Sequence, residues 1–410
     1  MTNLYDYLIW RGDLSFTQVP MNEVDALILA WLSYTEWDAA VPAPGKGEPV
    51  PLRDAAEAFL AATPRKLDDS SAYSINAAVT GAVVAREAAK TRRFGELRVC
   101  GFLNEIVPEE KKQFSAVTLL GPGWAYISYR GTDSTLVGWR ENCDLSLSEA
   151  VPAQRRAVEY LSEVPELRGR TLHLGGHSKG GNLAVYAGAL SREPLRSRIE
   201  TVWDFDGPGF VRSFTAREDF RAMRPRIRKY VPRDSVVGML LESSANPIVV
   251  PSAQMGLFQH NGVLWEVLGD HLVRHEGLSA PIRVFDQGLE EWLNGLDEQG
   301  RGEFIDALFR VLDATGAERI EDFSAEGLGG MLRAFRALTG MEEEKRRMLQ
   351  HALIGLIRTG NAALFTAISS PPRGLLDKGQ KALRDFLTDV TRALTAGKAN
   401  EENTFPGSDQ

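Results

Sequence analysis

The chain has 410 residues, 43% of them hydrophobic and 25% charged, proportions near the globular average that exclude a disordered or fibrous protein and leave room for a large core. A formal net charge of -8 and a pI near 5.5 argue against nucleic acid or an anionic lipid surface as a general partner, since both select dense basic surfaces. Cys100 and Cys143 are the two cysteines in the chain, a usage that suits packed, reduced thiols better than a secreted disulfide framework.

The opening MTNLYDYLIWRGDLSF has an apolar stretch too short for a signal peptide or a membrane span, so a cytoplasmic protein without a transmembrane helix is expected. Asn22 ahead of EVDALILAWLSY predicts a capped helix, because a side-chain oxygen precedes apolar residues on a helical period. A proline-rich loop leads into LRDAAEAFLAA, a second helix, and SINAAVTGAVVAREAAK predicts a third. From Leu97 the pattern changes to LRVCGFLNEIV, FSAVTLLG and WAYISYRG, short β-branched or aromatic runs parted by turns, which predict consecutive antiparallel strands.

Alternation follows. The helix AQRRAVEYLSEV, strand TLHLGG, helix NLAVYAGALS, strand TVWDFDG, helix AREDFRAM and strand IRKYVP predict βαβ units and hence an α/β fold, a mostly parallel central sheet flanked by helices. Beyond about residue 281 strand signals cease, and amphipathic helices from LEEWLNGLDEQ to KALRDFLTDVTRAL predict a helical C-terminal extension. The expected division is residues 1–285 for the α/β domain with its helical N-terminal segment, 286–398 for the extension and 399–410 for a disordered tail.

Gly176-His177-Ser178-Lys179-Gly180 fits G-x-S-x-G between a predicted strand and a predicted helix, the setting in which a serine is exposed on a sharp turn. Such a turn needs residues without side chains two positions before and after the serine, where strand and helix pass closely. It also aims the first N–H groups of the helix, that of Lys179 included, at the space above the hydroxyl, where negative charge collects during acyl transfer. A second donor is needed, and Thr132, in the loop that ends the strand AYISYRG, stands where α/β hydrolases place theirs.

YRGTDS, GWRENCDL, LGGHSKGGNLA and FDGPGF, in this order, resemble the lipase class 3 family of α/β hydrolases, whose members carry an aromatic-RGT/S segment, a W-x-x-D-L segment and a G-H-S-L-G-G elbow. The opening RGDLSF with NEVDALIL, and lysine at Lys179 where leucine is usual, resemble a bacterial branch of that family. The resemblance spans about residues 1 to 280 and makes 1–285 an α/β-hydrolase-type domain.

A serine needs a histidine to take its proton and a carboxylate to fix that histidine's tautomer. Of six histidines, His173 and His177 lie in the strand and the elbow and read as structural, and His351 lies on an amphipathic helix. His260, His271 and His275 remain. The segment from His260 to Trp265 resembles that around the family's catalytic histidine, which favours His260. His271 and His275 stand four apart, as on one helix face, without the third ligand a metal site requires. For the acid, Asp204, Asp206 and Asp234 all follow strands; chain order and the resemblance favour Asp234. The expectation is a serine esterase or lipase with a Ser178-His260-Asp234 triad, Thr132 and Lys179 as oxyanion donors, an acyl ester or lipid as substrate, and no cofactor or metal. Thioesterase, acyltransferase or peptidase chemistry on the same triad, and a non-catalytic scaffold with a vestigial site, are the alternatives.

Overall fold

The N-terminal helices begin where their caps stand. In the computed structural model, which describes residues 2–279 apart from 64–66, 68–70, 72–73, 75, 133–137, 139, 142–143, 146–148, 236 and 255–258, Asn22 caps α2 (Glu23–Trp31). Its side chain accepts from the N–H groups of Val24 and Asp25, and the Asp25 carboxylate accepts from the Asn22 N–H, closing a capping box. Asn3 and Asp6 build the same device for α1 (Leu4–Arg11), a helix not predicted from the sequence. α3 (Leu52–Ala62) and the Asn76-capped α4 (Ala77–Lys90) follow.

Eight strands form one sheet in sequential order: β1 (Val50–Pro51), β2 (Arg98–Val107), β3 (Lys112–Leu120), β4 (Trp124–Tyr129), β5 (Thr171–His177), β6 (Ile199–Phe205), β7 (Ile227–Pro232) and β8 (Ile248–Val250). Pairing is antiparallel as far as β4 and parallel from β4 to β8. The connections carry α5 (Pro152–Glu163), α6 (Lys179–Leu190) and α7 (Glu218–Met223). Right-handed crossovers in a sheet whose strand order never reverses put all these helices on one face. The other face needs a separate cover, and the N-terminal helices supply it.

Alternation along β4 displays both layers. Tyr126 lies in a core cluster with Leu27, Ile28 and Val84 from α2 and α4, whereas Ala125, Ile127 and Tyr129 lie in a second cluster with Ala157, Tyr160 and Leu183 from α5 and α6. A buried ion pair, Arg93 to Asp25 at 2.6 Å, ties the first layer together. Arg93 also donates to the carbonyls of Leu14, Val19 and Pro20, and the Tyr7 hydroxyl donates to Asp25. The whole is an α/β-hydrolase-like fold.

One strand was unforeseen and one expectation is corrected. β8 had no predicted counterpart, and His271 and His275 share no helix face: His271–Leu272 is the strand β10, antiparallel to β9 (Val267–Leu268). The turn between them is made by Gly269 at φ 60° and Asp270, a backbone state that glycine adopts without strain. Cys100 is a buried free thiol pushed up to about 12 by burial. The predicted 286–398 extension and 399–410 tail, like Cys143, lie outside the described residues.

Candidate active site

β5 ends at His177 and α6 starts at Lys179, so Ser178 alone makes the turn, at φ 58° and ψ -135°. For a residue with a Cβ this is a strained conformation, of order 1–3 kcal/mol, which persists only when the surroundings impose it. The glycines show how they do. A Cβ on Gly180 would sit 2.1 Å from the Tyr129 carbonyl oxygen, and one on Gly176 would sit 2.3 Å from the Gly180 carbonyl carbon. Strand and helix therefore cross in backbone contact, as the G-x-S-x-G spacing predicts.

Parallel register places Asp206. His177 stands opposite Phe205 in the β5–β6 pairing, and the Ser178 N–H donates to the Phe205 carbonyl at 2.9 Å. Asp206, one residue past β6, thus leaves the sheet at the level of the serine. Its turn is held from two sides: Asn182 on α6 donates to the Pro208 and Gly209 carbonyls, and Lys229 on β7 donates to the Gly207 carbonyl. The Asp206 side chain is 1% exposed and its Oδ2 lies 2.6 Å from His260 Nδ1. Its Oδ1 accepts from the Ser235 hydroxyl and the Gly238 N–H. A carboxylate so surrounded accepts, so His260 Nδ1 donates to it, which in the neutral ring leaves the lone pair on Nε2.

This corrects the expected pairing of His260 with Asp234. The Asp234 carboxylate accepts from Gln259 Nε2 at 2.7 Å, and Gln259 Oε1 accepts from the Asp234 N–H at 3.0 Å. Asp234 therefore clasps the residue before His260 rather than its ring. Trp265, the aromatic of the H-x-x-x-x-W segment, braces the same residue by donating from Nε1 to the Gln259 carbonyl at 2.7 Å. Asp204 is spent on structure, with Lys229 Nζ at 3.0 Å and the Ser244 hydroxyl at 2.7 Å from its Oδ2.

Thr132 follows Arg130 and Gly131 just beyond β4, beside the elbow: a Cβ on Gly131 would lie 2.7 Å from the His177 carbonyl oxygen. Lys179 contributes the first N–H of α6. Its side chain turns the other way into full burial, where Nζ donates to Gln113 O and Oε1 at 2.7 Å and meets Glu141 Oε2 at 2.8 Å. Glu141 in turn accepts from the N–H groups of Gln113 and Ala153. Where the lipase motif has a leucine, this chain buries a charge and surrounds it with acceptors.

His177 and His173 are buried and both are held below the ordinary histidine value by desolvation, His177 well below it and His173 at about 4. The exposed His271 and His275 bond to Asp270 and to the Gly277 carbonyl.

A serine on a strand-elbow-helix turn, with an Asp–His pair packed against the residue before it, on this sheet, defines an α/β-hydrolase-like protein. The chain belongs to the Mbeg1-like family, whose model matches residues 88–310. Among solved structures it is similar to one described as M37 lipase, with 14% sequence identity over 53% of this chain and 68% of that chain and a TM-score of 0.32. No curated protein matches it.

Proposed function

We propose that the protein is a serine hydrolase of carboxylic esters, with Ser178 as nucleophile, His260 as general base and Asp206 as the orienting acid. The observation that carries this reading is the 2.6 Å bond from His260 Nδ1 to the buried Asp206 carboxylate, on a histidine packed against His177, the residue before a serine held at positive φ. His260 Nε2 takes the Ser178 proton as Oγ attacks the acyl carbon. The N–H groups of Lys179 and Thr132 receive the oxyanion; collapse expels the alcohol with the proton returned by His260. Water, deprotonated by His260, then releases the acid and regenerates Ser178. A lipid-like or short acyl ester fits this chemistry, and a panel of p-nitrophenyl esters from acetate to palmitate ranks the acyl length.

Ser178→Ala tests the assignment. Turnover should fall by ~10^3-fold or more, and labelling by a fluorophosphonate should vanish while the thermal transition persists. Equal labelling of wild type and variant would remove Ser178 from the reaction.

A further inference from the structure

Three rings lie in a column behind the site. Trp31 of α2 stacks on His177 with centroids 4.8 Å apart and planes at 25°, and His177 lies against His260 with centroids 4.4 Å apart and planes at 39°. His177 Nε2 is 2.6 Å from the His260 carbonyl oxygen, and its Nδ1 is 3.0 Å from the Tyr34 hydroxyl. A carbonyl only accepts, so Nε2 carries the proton; Nδ1 then accepts, and the Tyr34 hydroxyl donates. Tyr34, His177 and the main chain of His260 thus form a hydrogen-bond chain with a fixed direction.

We propose that His177, set in its tautomer by Tyr34, is the positioning residue for the base: it grips the His260 carbonyl and supplies the surface on which the His260 imidazole rests. The inference rests on the reading of His260 as general base. Asp206 fixes one edge of the imidazole, but an edge contact alone leaves the ring free to rock about the Nδ1–Oδ2 axis. The tilted His177 ring against the imidazole and a held carbonyl at the backbone remove that freedom. Being the residue before Ser178, His177 references the base to the nucleophile's own backbone rather than to a distant loop. Tyr34 extends the reference to the proposed oxyanion loop. A Cβ on Gly131 would come within 2.0 Å of the Tyr34 hydroxyl, so the glycine preceding Thr132 is what admits the tyrosine.

Two variants separate positioning from packing. His177→Phe keeps the stacked ring and loses the N–H; His177→Gln loses the ring and keeps a donor near Nε2. On a p-nitrophenyl ester, His177→Phe should lower kcat by about 10- to 100-fold, the scale of a ~1 Å misplacement of a reacting group, with KM unchanged. His177→Gln should recover most of that loss. Tyr34→Phe, which leaves the core shape intact, should lower kcat in the same direction by a smaller factor. A proton resonance for His260 Nδ1–H, sharp at low field in the wild type, should broaden in His177→Phe.

Should His177→Phe fail to fold, Tyr34→Phe and the resonance carry the test. Wild-type kcat in His177→Phe, or in Tyr34→Phe with an unbroadened resonance, overturns the proposal; so does a glutamine variant no better than phenylalanine. Ser178→Ala and His260→Ala run alongside. If both abolish turnover while His177→Phe does not, positioning alone is wrong. If neither does, the hydrolase reading falls and takes this proposal with it.

Discussion

Asp206 and Asp234 both follow a strand and both precede His260 in the chain, and the difference between them lies in what already occupies their oxygens. Asp206 has one oxygen filled by Ser235 and Gly238, leaving the other for His260 Nδ1. Asp234 is closed on Gln259. Asp206→Asn should therefore lower kcat on a p-nitrophenyl ester by ~10^3- to 10^4-fold, because an amide no longer enforces the tautomer with its lone pair on Nε2. Asp234→Asn should cost only a few-fold, since an amide can still pair with Gln259; steady-state rates of the two variants check this, and a larger loss in Asp234→Asn would reverse the assignment. The sharp turn at Ser178 was legible because the glycine spacing has a steric cause that shows in the sequence. The carboxylate that pairs with His260 was not, because three aspartates met the same local description and only the folded chain selects among them. FDGPG, a tight turn directly after the strand next to the elbow, was the available signal. The side chain of Lys179 was equally hidden, since a lysine reads as solvent-facing until its acceptors are seen.

At the level of elements, that lysine couples three parts of the molecule: α6 through its own backbone, β3 through Gln113, and the segment after β4 through Glu141. The two side chains are 0% and 1% exposed, so removing either leaves an uncompensated buried charge. Lys179→Met should cost ~3–5 kcal/mol, and adding Glu141→Gln should return part of it, because the pair is worth less than its breakage. Urea denaturation of both singles and the double closes the cycle; additive losses would mean that the two groups do not interact. Elements themselves followed the sequence where the pattern was long. α3 spans LRDAAEAFLAA and β7 spans IRKYVP, as predicted. β8 is three residues, IVV, too few to show a period. The four-residue spacing of His271 and His275 suggested a helix because a short strand leaving a glycine turn can place residues at the same interval.

For the molecule as a whole, the sheet's burial of two imidazoles sets an acid limit. His173 is 8% exposed and His177 3% exposed, and desolvation lowers both from the ordinary value of 6.5, to about 4 for His173. Between those values the unfolded chain binds protons that the folded one refuses. Stability is therefore complete above about pH 6.5 and declines as pH falls toward 4, with the gap at His173 alone worth ~3 kcal/mol. Replacing His173, whose buried Nδ1 has no hydrogen-bond partner among the described residues, by leucine removes that proton-binding difference while keeping an apolar body against Trp124. Urea midpoints measured from pH 7.5 down to about 4.5 should fall less steeply for His173→Leu than for the wild type; parallel curves would show that His173 does not titrate differently on unfolding. What slope remains in the variant includes His177, the histidine whose neutral form holds the His260 carbonyl. Acid that reaches it converts Nδ1 from acceptor to donor, so that the Tyr34 hydroxyl can no longer donate there. Loss of fold and reversal of the Tyr34–His177 hydrogen bond, in which the phenol oxygen would accept from Nδ1–H, are thus driven by protonation in the same direction.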